Sequence, residues 1–250
     1  MDRALYVAMT GASQNMLSQT AHANNMANAR TTGFKADWEE ARSMPVWGDY
    51  YPTRAYALTE RPASDFNDGA LIETGNPLDT AIQGDGFFAV MDANGQEAYS
   101  RRGDFTVTAL GELINGNGEP VMGAGGAPIA IPDYEHLDIG DDGTITIRPA
   151  GADANALEVV DQIKIVNPDL KNFEKGTDGL FRPTNLPAGQ VLQADPTLRV
   201  VQGFVESSNV NTVSELTNIL SLNRQYEMQV KMMKTSEEIS KVSSSILQMS

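Results

Sequence analysis

Leu5, Met9, Ala12 and Met16 recur at steps of four, three and four, which predicts a helix over residues 2–29. Ala23 and Met26 or Ala27 continue the stripe weakly, and Ser13, Gln14, Asn15, Ser18, Gln19 and Thr20 fill the other positions. Such a narrow apolar seam is typical of helices that pair. Gly33 is a candidate left-handed cap after it. A second helical pattern fills residues 207–250, which contain neither glycine nor proline. Val213, Leu216 and Leu220 form its first group, Tyr226, Val230 and Met233 its second, and Ile239, Val242, Ile246 and Met249 its third. Spacings within each group are threes and fours, and a six-residue step separates the groups. A helix of this length reaches roughly 60 Å, natural for a helical assembly. Ser207, Ser208 and Asn209 are its N-cap candidates.

Between the two helical patterns the period changes. Residues 35–75 show little periodicity, with Pro45, Pro52 and Pro62 at intervals and Trp38, Trp47, Tyr50, Tyr51 and Tyr56 scattered among them. They read as an extended connector lying on a surface, because a structureless loop that long is unusual inside a compact domain. From 76 to 206 the pattern is β. Short runs such as Phe87–Val90, Phe105–Thr108, Ile145–Ile147 and Ile163–Val166 alternate with Asp85-Gly86, Asn94-Gly95, Asn115-Gly116, Asn117-Gly118, Asp142-Gly143 and Asp178-Gly179. Asn-Gly and Asp-Gly supply the positive φ of tight hairpins, so antiparallel pairing is expected. The expected fold is mixed α and β: a discontinuous helical domain of 1–34 with 207–250, a connector of 35–75, and a central antiparallel all-β domain of 76–206.

Charge sharpens these boundaries. The 250 residues carry a formal charge of −15. Arg3, Arg30 and Lys35 against Asp2 leave residues 1–36 at +2, and four acids match four bases in 207–250, so −17 falls on the middle. All 12 prolines lie between Pro45 and Pro196. So acidic a chain is a poor match for nucleic acid or an anionic membrane surface. No run approaches a membrane span, and the first residues lack the basic and apolar regions of a secretory signal.

The chemistry offered by side chains is thin. With no cysteine, thiolate zinc sites, disulfides and thiol nucleophiles are all excluded. His22, among Ala and Asn, reads as structural or surface. His136 with Asp138, Asp141 and Asp142 suggests a metal cluster, but a calcium loop from Asp138 would place Gly140 and Pro149 where oxygen ligands belong. Gly123–Pro128 lacks the Lys-Ser/Thr pair of a phosphate loop. Arg101-Arg102 beside Gly103-Asp104 reads as a salt-bridging pair rather than an anion clamp. The helical methionines, Met228, Met232, Met233 and Met249 with Met9, Met16 and Met26, read as adaptable packing residues rather than a metal strip. No cofactor, metal or catalytic residue is expected.

Several segments then become specific. Asn24-Asn25-Met26-Ala27-Asn28-Ala29-Arg30-Thr31-Thr32-Gly33-Phe34-Lys35 resembles the NN-x-AN-x-x-T-x-GFK signature of bacterial flagellar rod and hook proteins. Leu78–Phe88, with Gly84, Gly86 and Phe87, is similar to their LD-x-AI-x-G-x-GFF motif. Tyr99–Phe105, with Arg102, Gly103 and Phe105, is similar to their Y-T-R-x-G-x-F strand. Glu206–Asn211 and Asn223–Glu227 complete the order. Met26 stands where the family usually has Ile or Leu. The opening Met1–Met9 and the short length are most like proximal rod members, with distal rod or hook-type members the alternative.

The resemblance implies terminal helices paired as an inner coiled-coil layer with the β domain outside. It implies a non-catalytic subunit that polymerises with itself and other rod proteins into a drive shaft across the periplasm. It also implies export through the flagellar type III apparatus without a cleaved signal, and no membrane insertion. The helical seam of Leu5, Met9, Ala12, Met16, Val213, Leu216, Leu220, Tyr226, Val230, Met233, Ile239, Val242 and Ile246 would then be the assembly interface. Ends ordered only on assembly would be protease-sensitive in the monomer. From the residues alone, a β-rich carbohydrate-active enzyme or an adhesin with coiled-coil ends remains an alternative.

Overall fold

The computed structural model describes residues 2–47, 51, 55–151, 153, 156–187 and 190–248. It divides into two compact units. The first comprises residues 1–29, 36–65 and 210–250, and the second residues 30–35 and 66–209.

The first unit holds helix α1 (Asp2–Ala27), helix α2 (Thr212–Gln248) and a hairpin of β1 (Asp37–Pro45) with β2 (Ala55–Ser64). α1 and α2 pack together. Gly11 faces Gln229, Gln19 bonds Asn223 and His22 meets Glu215, so the helices run antiparallel. With 37 residues, α2 is roughly 55 Å long. Its cap is Asn211, whose Oδ1 accepts the N–H groups of Val213 (3.1 Å) and Ser214 (3.2 Å). Ser207, expected as a cap, instead donates its N–H to Ala70 O at 2.9 Å, which keeps the chain extended beyond the strand Phe204–Glu206. Gly33 has a positive φ of 64° but lies six residues beyond the end of α1. It is a turn glycine rather than that helix's cap.

The stretch read as a connector carries the β1–β2 hairpin, which packs along α1. Its strands were obscured by mixed polarity and by Pro62. Trp38 pairs with Ala63 and Glu40 with Glu60, so β2 has one extra residue between them and the proline falls in a bulge. Trp38 and Trp47 are exposed, as is Tyr51, whereas Tyr56 is half-buried. Tyr50 and Pro52 lie outside the described residues.

The second unit is antiparallel throughout. Its largest sheet orders Ile165–Val166, Phe87–Met91, Glu97–Ser100, Phe181–Pro183 and Phe173–Lys175. A three-stranded sheet joins Glu158–Gln162, Thr144–Pro149 and Tyr134–Ile139. Three strand pairs complete it: Arg199–Gln202 with Thr80–Gln83, Phe204–Glu206 with Leu71–Glu73, and Phe105–Val107 with Leu113–Asn115.

The pleat turns successive side chains to opposite faces, and Phe87-Phe88 uses this to serve two cores. Phe88 joins Phe105, Leu113, Ile129, Ile145 and Ile147 in the larger one. Phe87 joins Tyr99, Phe173 and Phe181 in an aromatic cluster, with centroids 4.9 Å from Phe173 and 5.2 Å from Phe181. Gly103 lets two segments touch: a Cβ there would stand 1.7 Å from Thr80 O, while the Thr80 N–H donates to Gly103 O at 2.9 Å.

Candidate assembly surface and its anchoring clasp

Much of the resemblance converges within the second unit, where the chain enters it at residues 30–35 and leaves it near 206. The Gly33 N–H donates to Glu206 O at 2.8 Å, and the Asn209 N–H donates to Phe34 O at 3.3 Å. A Cβ on Gly33 would lie 2.5 Å from the Arg101 backbone, so this close approach needs glycine. Lys175 Nζ sits 3.7 Å over the Phe34 ring and donates to Lys35 O at 2.9 Å.

Beneath these backbone contacts lies a buried ion cluster. Lys35, Arg101 and Glu206 each expose 2% of their side chains. Lys35 Nζ reaches Glu206 Oε1 at 2.8 Å and the Asn67 carbonyl at 2.9 Å. Arg101 Nε donates to Glu206 Oε2 at 2.5 Å, and its other nitrogens reach Asp68, Ile82 O and Gly86 O. The Gly69 N–H also donates to Glu206 Oε1, at 3.0 Å. Burial alone would raise the Glu206 carboxyl. The adjacent Arg101 charge and hydrogen bonds from Lys35, Arg101 and Gly69 outweigh it and hold the carboxyl below its ordinary range. Asp68, half-exposed, brings the fourth charge and leaves the group formally neutral.

Each remaining motif residue has a place. Asn25, 1% exposed, donates to Asp37 O and accepts the Asp37 N–H, both at 2.9 Å, tying the end of α1 to β1. Asn28 bonds Asn24 at 2.6 Å, and Thr32 is half-buried. Gly84 has a positive φ, and the Gly86 carbonyl accepts from Arg101. Arg102 grips Asp104 through two bonds of 2.7 and 2.9 Å, the salt-bridging arrangement read from the sequence, and Phe105 packs edge-on against Phe88 at 5.1 Å. Lys35, Arg101 and Glu206 were not singled out as a cluster. Glu206 is 171 residues from Lys35, a separation no spacing rule reaches.

The helical stripes point elsewhere than expected. On α1, Ala8 and Ala12 are buried and Asn15, Gln19 and His22 are half-buried, at steps of four, three, four and three. That seam lies about a quarter turn from the Leu5–Met16 stripe, since each residue turns roughly 100°. Leu5 is therefore half-buried, Met9 is 47% exposed and Met16 57%.

On α2, Tyr226, Val230 and Met233 are half-buried, whereas Val213 is 70% exposed, and Leu216, Leu220, Ile239, Val242 and Ile246 are exposed as well. The six-residue steps explain this difference: each turns the stripe by about 120°, so three groups cannot share one face. Within the chain only the middle group of α2, Tyr226, Val230 and Met233, turns toward α1; its first and last groups do not. Met249 lies outside the described residues.

Among the described residues no group of three or more His, Cys, Asp or Glu is placed to hold a metal ion. His136 pairs with Asp138 at 3.1 Å in solvent. No described helix is long and apolar enough to cross a membrane.

Residues 81–147 match the family model described as the flagellar hook protein FlgE/F/G D1 domain, and residues 201–246 that of the flagellar basal body rod FlgEFG protein C-terminal region. The chain is 40% identical to the flagellar basal-body rod protein FlgF of Escherichia coli (strain K12) and 38% identical to that of Salmonella typhimurium (strain LT2), over 100% of both chains in each case. It is 31% identical to the flagellar basal-body rod protein FlgG of Agrobacterium fabrum, over 96% of this chain and 97% of that one.

Proposed function

This chain belongs to the flagellar basal-body rod proteins of the FlgF type and is a structural subunit of the rod, and we propose that it polymerises there through the outer faces of its terminal helices. The observation that carries this reading is the apolar side chains those helices leave outside: Met9, Met16 and Leu17 on α1 and Val213, Leu216, Leu220, Ile239, Val242 and Ile246 on α2 are exposed, while α1 meets α2 through small and polar residues. Exposed apolar side chains in such number on two paired helices mark a protein interaction surface. Assembly with other rod proteins follows from the family.

In the rod, α1 and α2 form a coiled-coil layer with neighbouring subunits, the acidic second unit stays solvated, and the polymer transmits torque across the periplasm. Leu5, Met9, Met16, Val213, Leu216, Leu220, Ile239, Val242 and Ile246 make the contacts between subunits. The discontinuous helical domain of the N- and C-terminal segments is the polymerising part. The chain reaches its place by type III export without a cleaved signal, carries out no catalysis and does not insert into a membrane.

Deletion of the gene, with complementation by the intact chain, tests this reading. Cells lacking the chain should build no complete rod and fail to swim; intact rods and normal swimming without it would refute it.

A further inference from the structure

Two turns of the second unit share one backbone design. Asp92-Ala93-Asn94-Gly95-Gln96 joins the strands Phe87–Met91 and Glu97–Ser100, and Asn115-Gly116-Asn117-Gly118-Glu119 begins at the last residue of the strand Leu113–Asn115. In each, the N–H of the first residue donates to the carbonyl of the fifth, at 2.8 and 2.9 Å, and the N–H of the fourth donates back to the carbonyl of the first, at 3.0 and 2.9 Å. The Oδ1 of the first residue gathers two further N–H groups, from the third (2.9 and 3.0 Å) and the fifth (2.8 and 3.0 Å). The fourth residue is a glycine with φ of 75° and 87°, as such turns require. Asn94 and Asn117 therefore hold equivalent places, both exposed and each just before its glycine.

The fifth residue makes the difference. Glu119 accepts Asn117 Nδ2 on Oε1 at 2.7 Å and Asn115 Nδ2 on Oε2 at 2.6 Å. Gln96 makes no matching bond, and among the described residues the Asn94 side-chain amide has no hydrogen-bond partner. Asn115, in the remaining Asn-Gly step, is 1% exposed with both ends of its amide held. Its glycine is also crowded, since a Cβ on Gly116 would lie 2.0 Å from Asp104 Oδ2.

We propose that Asn94 is a site of spontaneous deamidation and that Glu119 shields Asn115 and Asn117 from the same reaction. Solvent hydroxide takes the proton of the Gly95 N–H, and that nitrogen attacks Asn94 Cγ. The Cγ–Nδ2 bond breaks, the leaving nitrogen takes a proton from water and departs as ammonia, and a cyclic imide remains. Water then opens the imide at either carbonyl, giving aspartate or isoaspartate. The Gly95 nitrogen is unhindered, because a Cβ there would meet nothing within 4 Å. Gly95 and Gly118 must each release the hydrogen bond to the first residue of the turn, so that cost is common to both. Asn117 must in addition leave Glu119, and Asn94 has nothing to leave. The product places a carboxylate on the turn, and isoaspartate also adds one main-chain carbon between the N–H groups that Asp92 gathers.

The test is incubation of the purified full-length chain in mildly alkaline buffer, with each Asn-Gly peptide followed by mass spectrometry for conversion of amide to carboxylate. In the folded chain Asn94 should convert about fivefold or more faster than Asn117, the size of one lost hydrogen bond. Asn115 should be the slowest of the three. In denaturing urea the three rates should converge. Glu119→Ala should bring Asn115 and Asn117 toward the rate of Asn94 and leave Asn94 itself unchanged. Should that variant not fold, the comparison of folded and urea-treated chain decides alone. Equal rates in the folded chain, or the same order persisting in urea, would overturn the proposal. So would a folded Glu119→Ala variant in which Asn115 and Asn117 keep their original rates.

Discussion

The two units of this chain bury opposite things. The second unit hides nearly every buried hydrophobic residue among those described, from Ala81 to Val200, together with an ion cluster whose three inner side chains are almost wholly excluded from solvent. The first unit buries only Ala8, Ala12 and Ala36 among its described hydrophobic residues, while Met9, Met16, Leu216, Leu220 and Ile239 remain exposed on long helices. Helices draw most of their stability from packing an apolar face. A unit that leaves such faces open is completed by neighbours; a unit that closes its core and neutralises its buried charges is complete alone. On the proposed reading, the difference separates the part that polymerises from the part that serves as scaffold.

The largest effect that would sharpen this comparison is Glu206→Gln. It leaves Lys35 and Arg101 buried with too little counter-charge, which typically costs about 3–5 kcal/mol. Urea unfolding followed through the second unit should show that loss, and a change under 1 kcal/mol would break the account of the clasp. Next in size is Gly103→Ala. The added Cβ would meet Thr80 O at 1.7 Å, and a loss of about 2 kcal/mol or more is expected in the same measurement.

Acid should act on the second unit in one direction. The folded Glu206 carboxyl is held below its ordinary range, so its contribution is fully present above the unfolded carboxylate pKa and is lost as pH falls through the lowered folded value. Asp178, held down by its bond from Arg182, acts with the same sign. Unfolding midpoints measured from neutral pH into the acid range should be flat first and then decline. Stability rising with acid would contradict this. The smallest effect belongs to Lys241→Ala: its pair with Glu237 at 2.6 Å is solvent-exposed, and thermal melts should not distinguish the variant.

Much of this architecture is legible from residue patterns. The absence of glycine and proline after Gly203 marks α2, and the Asn-Gly and Asp-Gly turns mark the antiparallel middle. The hairpin of Asp37–Pro45 with Ala55–Ser64 is not, because Pro62 and mixed polarity erase its period of two and a bulge absorbs the mismatch. The clasp is illegible for a different reason: Lys35, Arg101 and Glu206 meet only after the chain has folded across 171 residues, and no local pattern encodes that meeting. The seam was misplaced by a quarter turn on α1 because apolar periodicity reports a face worth burying without naming what buries it. Here Ala8, Asn15, Gln19 and His22 face the partner helix while the stronger stripe lies outside.

The central claim is that the outward stripes, and not the closed β unit, join subunits. Its most direct test is Leu216→Asp with Leu220→Asp and Ile239→Asp, expressed from the native locus, with completed rods counted in isolated basal bodies. The account predicts few or no completed rods and loss of swimming, with urea unfolding of the second unit unchanged. Rods completed in normal number by this variant would contradict it.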